Sequence, residues 1–90
     1  MESSDFIINN LKVWEKIFPK IQVKYAYDDK TEYHIVEIGP HKLYESKEFI
    51  KREDDFWESF YENFPEEDLC ISEPNDLHDM SNLLYSVNYP

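Results

Sequence analysis

Apolar residues recur along this chain with two different periods, and the switches between them mark its elements. Ile7, Leu11, Trp14 and Phe18 stand at i, i+4, i+7 and i+11, which places them on one face of a helix. Phe6, Val13 and Ile17 form a second stripe about 100° away. Two stripes describe a helix buried on two sides, or buried once and offered to a partner; core packing is the plainer account of both. Ser3 or Ser4 is the expected N-cap, and Pro19 bounds the far end. From Ile21 the period becomes two: Ile21, Val23, Tyr25 and Tyr27 alternate with Gln22, Lys24 and Ala26. Asp28-Asp29-Lys30-Thr31 is turn-like, and Glu32 to Ile38 is again rich in β-branched and aromatic residues, so the pair predicts a hairpin that Gly39-Pro40 ends.

The helical period returns after Ser46, a natural N-cap. Phe49, Ile50, Phe56, Trp57, Phe60, Tyr61 and Phe64 share one arc, and Glu48, Asp54, Asp55, Glu58 and Glu62 take the other. Glu53 falls inside the apolar arc. It is either paired there, or the helix breaks near Arg52–Asp54 and restarts with Asp55 and Glu58 as a capping box. One bent helix ending at Pro65 is the preferred reading. Leu69-Cys70-Ile71 predicts a third strand with Pro74 at its end. Asn75 or Asp76 then caps a final helix through Leu77, Met80, Leu84 and Val87, at i, i+3, i+7 and i+10. The expected fold is α+β in the order α-β-β-α-β-α, one domain over residues 1–90. Its three-stranded, mainly antiparallel sheet packs against two to four helices.

Composition adds the means of closing a small core. The 90 residues include fifteen aromatics, only one Gly and five Pro. A chain this long hides roughly 60% of its unfolded surface, and a few large rings are enough to fill that interior. The lone Cys70 rules out an intrachain disulfide and fits a reducing compartment. The N-terminal residues lack a basic region and an apolar run, and no apolar stretch is long enough to span a bilayer. A cytoplasmic protein is the expectation.

Charge changes the picture more. Thirteen of the twenty carboxylates lie between Glu45 and Asp79, opposed only by Lys47, Lys51 and Arg52. That segment carries nearly all of the net charge of −11. Such a field repels nucleic-acid phosphates and anionic membranes and attracts basic proteins. Asp54, Asp55, Glu58, Glu62, Glu66, Glu67 and Asp68 are the candidate partner-binding residues.

Chemistry finds little purchase in the sequence. Catalytic carboxylates need burial in a pocket, and most acids here sit on a solvent-facing helical arc. His34, His41, His78 and Cys70 match no zinc spacing, the acidic runs lack the ladder and Gly of a calcium loop, and a helix would turn Asp76 and His78 apart. Cys70 lies in a short apolar strand with acids on both sides, a setting for a structural thiol. One glycine cannot build a phosphate-cradling loop. Hence no catalytic residue, metal or cofactor is expected. In charge and size the chain resembles nuclease-toxin immunity proteins and phage-encoded inhibitors, which implies an acidic, non-enzymatic module covering a basic surface. The alternative is an accessory domain that self-associates through exposed aromatics.

Overall fold

The computed structural model describes residues 2–88. Along the chain run α1 (Glu2–Ile17), β1 (Gln22–Asp28), β2 (Tyr33–Gly39), a short 3-10 helix (His41–Glu45), α2 (Lys47–Asn63), β3 (Asp68–Ser72) and β4 (Leu83–Val87). They form a small α+β domain with a four-stranded mixed sheet in the order β3-β2-β1-β4. β1 is antiparallel to both β2 and β4, whereas β3 lies parallel to β2 after the α2 crossover.

The first helix starts earlier than its serines predict. Ser3 and Ser4 are buried residues within α1, not its cap. Ile7, Leu11 and Trp14 are buried as their spacing requires, and Phe18 closes the helix with its N–H on the Trp14 carbonyl at 2.7 Å. Of the second stripe, Phe6 stacks on Phe56 at 5.8 Å, while Val13 remains half exposed.

The second helix is a single element from Lys47 to Asn63, capped by Ser46, whose Oγ accepts from the Phe49 N–H at 3.2 Å. Phe49, Phe56 and Phe60 are buried, Phe64 is half-buried at the C-cap, and Asp55, Glu58 and Glu62 face water. Glu53 is partly buried; desolvation, then the neighbouring Asp54 charge, pushes its carboxyl above the ordinary range.

Both helices cover the same face of the sheet. Val23 and Tyr25 of β1, Val36 and Ile38 of β2 and Leu69 of β3 join the helical side chains in one core. Trp14 meets Phe49 and Phe56 edge-on at 5.4 and 5.6 Å, the geometry that opposes ring edge to ring face.

The segment expected as a last helix is instead a loop followed by β4, which makes the sheet four-stranded and mixed where three mainly antiparallel strands were expected. Two features explain the difference. Asn75 Oδ1 accepts from the Leu77 N–H, and Asp79 Oδ1 accepts from the Ser81 N–H, local bonds that compete with helical ones. The edge of β1 also offers Leu83–Val87 a ladder, with Tyr85 opposite Tyr25 and Val87 opposite Val23. Tyr85 and Val87 pack on the core, while Leu77, counted in the helical stripe, is 91% exposed.

Candidate functional site

The acidic row is built by helical geometry. Asp54, Glu58 and Glu62 stand at i, i+4 and i+8 on α2, all exposed, along about 12 Å of helix. Asp55 and Glu48 have local partners: Lys51 Nζ lies 3.0 Å from Asp55, and Arg52 lies 3.5 Å from Glu48. Among the described residues, neither of these pairs engages the row. Beside it Trp57 is 38% and Ile50 41% exposed, so large apolar surface borders the carboxylates. Glu66 and Asp68 are also exposed, between the end of α2 and the start of β3.

Glu67 turns inward. Its Oε1 lies 2.7 Å from Nε2 of the fully buried His34, whose Nδ1 lies 2.6 Å from the Tyr25 hydroxyl. A carboxylate only accepts, so His34 Nε2–H donates to Glu67; Nδ1 faces the Tyr25 O–H, whose one proton is shared between that nitrogen and Ser4 Oγ at 3.3 Å. Burial pushes Tyr25 up to about 12, which keeps that proton in place. Desolvation raises the Glu67 carboxyl, but opposing contributions led by the His34 hydrogen bond outweigh it, and the net is a lowered pKa. This relay fastens the β3 entrance to the core. Glu67 thus bonds a buried side chain of the core, whereas Asp55 pairs only with the exposed Lys51.

The opposite sheet face carries a constellation that sequence reasoning missed. Glu37, in the middle of β2, is only 4% exposed, and its Oε2 accepts from the Asn75 N–H at 3.0 Å. The same oxygen lies 2.8 Å from His78 Nδ1. The Asn75 turn positions His78, whose own N–H reaches the Asn75 carbonyl at 3.0 Å. His78 Nε2 then lies 4.0 Å from Cys70 Sγ on β3. Cys70 and His78 both line an open pocket of about 240 Å³, together with Tyr33, Ile35, Leu77 and Asp79. Cys70 is thus partly exposed rather than sealed in the core. One signal was legible: a carboxylate within His34-Ile35-Val36-Glu37-Ile38, an otherwise apolar strand, demands a partner. Nothing in the sequence points to His78 as that partner, 41 residues away.

His41 pairs with Glu73 at the surface, a contact that raises the histidine's pKa and ties the 3-10 helix to the loop after β3. A second cavity, about 430 Å³, is lined by Ile17, Phe18, Ile21, Pro40 and Leu43 among others, and among the described residues no carboxylate or imidazole stands in its wall. Among the described residues no group of three or more His, Cys, Asp or Glu side chains is arranged to hold a metal ion, and no helix is long and apolar enough to cross a membrane. No family model matches the chain, and no curated protein or solved structure matches it either.

Proposed function

We propose that this domain is an acidic protein-binding module, acting without turnover, whose α2 face covers a basic surface of another protein in the manner of an inhibitor or immunity-type antagonist. The observation that carries this reading is the exposed row Asp54–Glu58–Glu62 beside the exposed Trp57 on one continuous helix. Carboxylates at fixed spacing steer a cationic partner and set its register. A tryptophan at their edge supplies the apolar anchor that dominates many interfaces. Glu66 and Asp68 extend the field past the helix, and Asp55 joins it once Lys51 is displaced. Glu67 contributes charge while bound to His34. The same field opposes nucleic acid and anionic lipid. A single cysteine without a disulfide partner suits the cytoplasm.

The test is capture from host lysate on immobilised domain, eluted by a salt gradient, comparing wild type with Glu58→Lys/Glu62→Lys. Asp29→Lys/Glu32→Lys, in the exposed hairpin turn, is the control. A protein released by salt, retained by the control and lost by the helix variant is the expected result, with Trp57→Ala weakening its capture by about 10-fold or more. Equal losses in both variants reject the helix face. If salt leaves binding unchanged and the captured species is the domain itself, the accessory reading holds instead, with Trp57, Ile50 and Val13 as the contact.

A further inference from the structure

On the sheet face away from α2, the Cys70–His78–Glu37 constellation has the connectivity of a nucleophile, a base and an orienting carboxylate. Glu37 fixes the imidazole. As a carboxylate it can only accept, so His78 Nδ1 carries the proton and donates it to Glu37 Oε2. In the neutral ring Nε2 is then a free lone pair, and it is this nitrogen that faces Cys70 Sγ at 4.0 Å. Two further bonds hold the arrangement: the Asn75 N–H to Glu37, and the His78 N–H to the Asn75 carbonyl. The thiol is reachable, because Cys70 and His78 share the wall of the 240 Å³ pocket.

The pocket also limits what can enter. Ile35, Leu77 and Tyr33 give it apolar and aromatic walls, while Asp28 and Asp79 line it with negative charge. Hydrogen bonds from the Ser81 hydroxyl and N–H hold the Asp79 carboxyl below its ordinary value, so that charge persists. Anionic thiol reagents are repelled, and small uncharged molecules with a hydrocarbon part are accepted.

We propose that Cys70 is a covalent modification site for small uncharged α,β-unsaturated carbonyl compounds, with His78 as its base and Glu37 as the positioning residue. The Cys70 thiol proton passes to His78 Nε2 as sulfur bonds to the β-carbon of the alkene. The π pair moves through the α-carbon onto the carbonyl oxygen as an enolate. His78 then returns the proton to the α-carbon, and the carbonyl re-forms. Atoms and electrons balance with no leaving group and no external oxidant. The site lies on the opposite sheet face from the acidic helix, so neither proposal depends on the other.

Acrylamide is the uncharged probe and acrylate the anionic one, with adduct formation followed by intact mass at pH 7. The folded chain should react with acrylamide about 10-fold faster than the same chain unfolded in urea, a modest share of what a positioned base can supply. A folded thiol slower than the unfolded one overturns the proposal, and that arm needs no variant. His78→Ala should remove the enhancement while the circular dichroism spectrum is kept, and added imidazole should restore part of it, which a merely structural histidine would not allow. Glu37→Gln should lower the rate part-way. Asp28→Asn/Asp79→Asn should speed acrylate and leave acrylamide unchanged. An unaltered acrylamide rate in His78→Ala also overturns it.

Discussion

The two faces of this sheet are closed by different physics. The inner face is covered by two helices that bring Ile7, Leu11, Trp14, Phe49, Phe56 and Phe60 onto Val23, Tyr25, Val36 and Ile38. Its stability comes mainly from apolar area removed from water, a non-directional effect, with edge-to-face ring contacts adding a preferred geometry. The outer face has a loop in place of a helix. There a buried carboxylate, Glu37, gathers one backbone N–H and one imidazole, and the loop from Glu73 to Ser81 lies over the β2–β3 edge. Hydrogen bonds to a buried charge are directional and all-or-none, since removing one partner leaves the other unsatisfied. The aromatic side builds the fold; the polar side holds a reachable thiol beside a base.

Cutting into the inner face should do the most damage. Phe60 is fully buried and touches Phe6, His34, Tyr61 and Phe64 by ring contact. Phe60→Ala should cost about 3–5 kcal/mol in urea unfolding, with the loss spread over the whole transition. A loss below roughly 1 kcal/mol would show that the helix face is not the core that carries the fold.

An intermediate effect is expected from the outer face. Glu37→Ala strands the Asn75 N–H and the His78 ring, at a cost of about 2–3 kcal/mol. Its signature should be local: amide exchange accelerates across residues 73–81 while the amides of α1 and α2 keep their relative protection. If both sets accelerate together, the two faces are one cooperative unit and the contrast fails.

These contrasts explain what could be read in advance. α1, the β1–β2 hairpin, α2 with its Ser46 cap and the strand around Leu69-Cys70-Ile71 were all legible, because amphipathic period and turn chemistry are properties of neighbours in sequence. β4 was not. Leu77, Met80, Leu84 and Val87 match a helical stripe by coincidence, and the open edge of β1, far away along the chain, decides the outcome. The same limit hid the parallel pairing of β3 and the meeting of Glu37 with His78. Glu67 shows a subtler limit: counted with the acidic face, it also bonds a buried histidine that composition gives no reason to place there.

The smallest expected effect comes from that polar exception on the inner face. Glu67 has a lowered pKa in the folded state, so its contribution is present above the ordinary Glu range and is lost as pH falls through the lowered value. Its side chain is 36% exposed, and solvent screening limits Glu67→Gln to about 1 kcal/mol or less at pH 7. The difference between wild type and Glu67→Gln should therefore shrink as the pH of the unfolding experiment is taken below about 4. A difference that stays constant down to that range would assign the pair to packing rather than charge.

Placing β4 against β1 has a consequence for how the chain is made. The Tyr85 hydroxyl bonds Glu15 across 70 residues, and the β4 ladder joins strands separated by β2, α2 and β3. During synthesis the hairpin and both helices leave the ribosome while one edge of β1 still lacks its neighbour. Closing so long a loop makes the β1–β4 pairing costly in chain entropy, and until β4 is made that edge of β1 has no strand to pair with. The carboxylates of α2 and the β3 entrance are all made before β4, so their negative charge is in place before that edge can be covered.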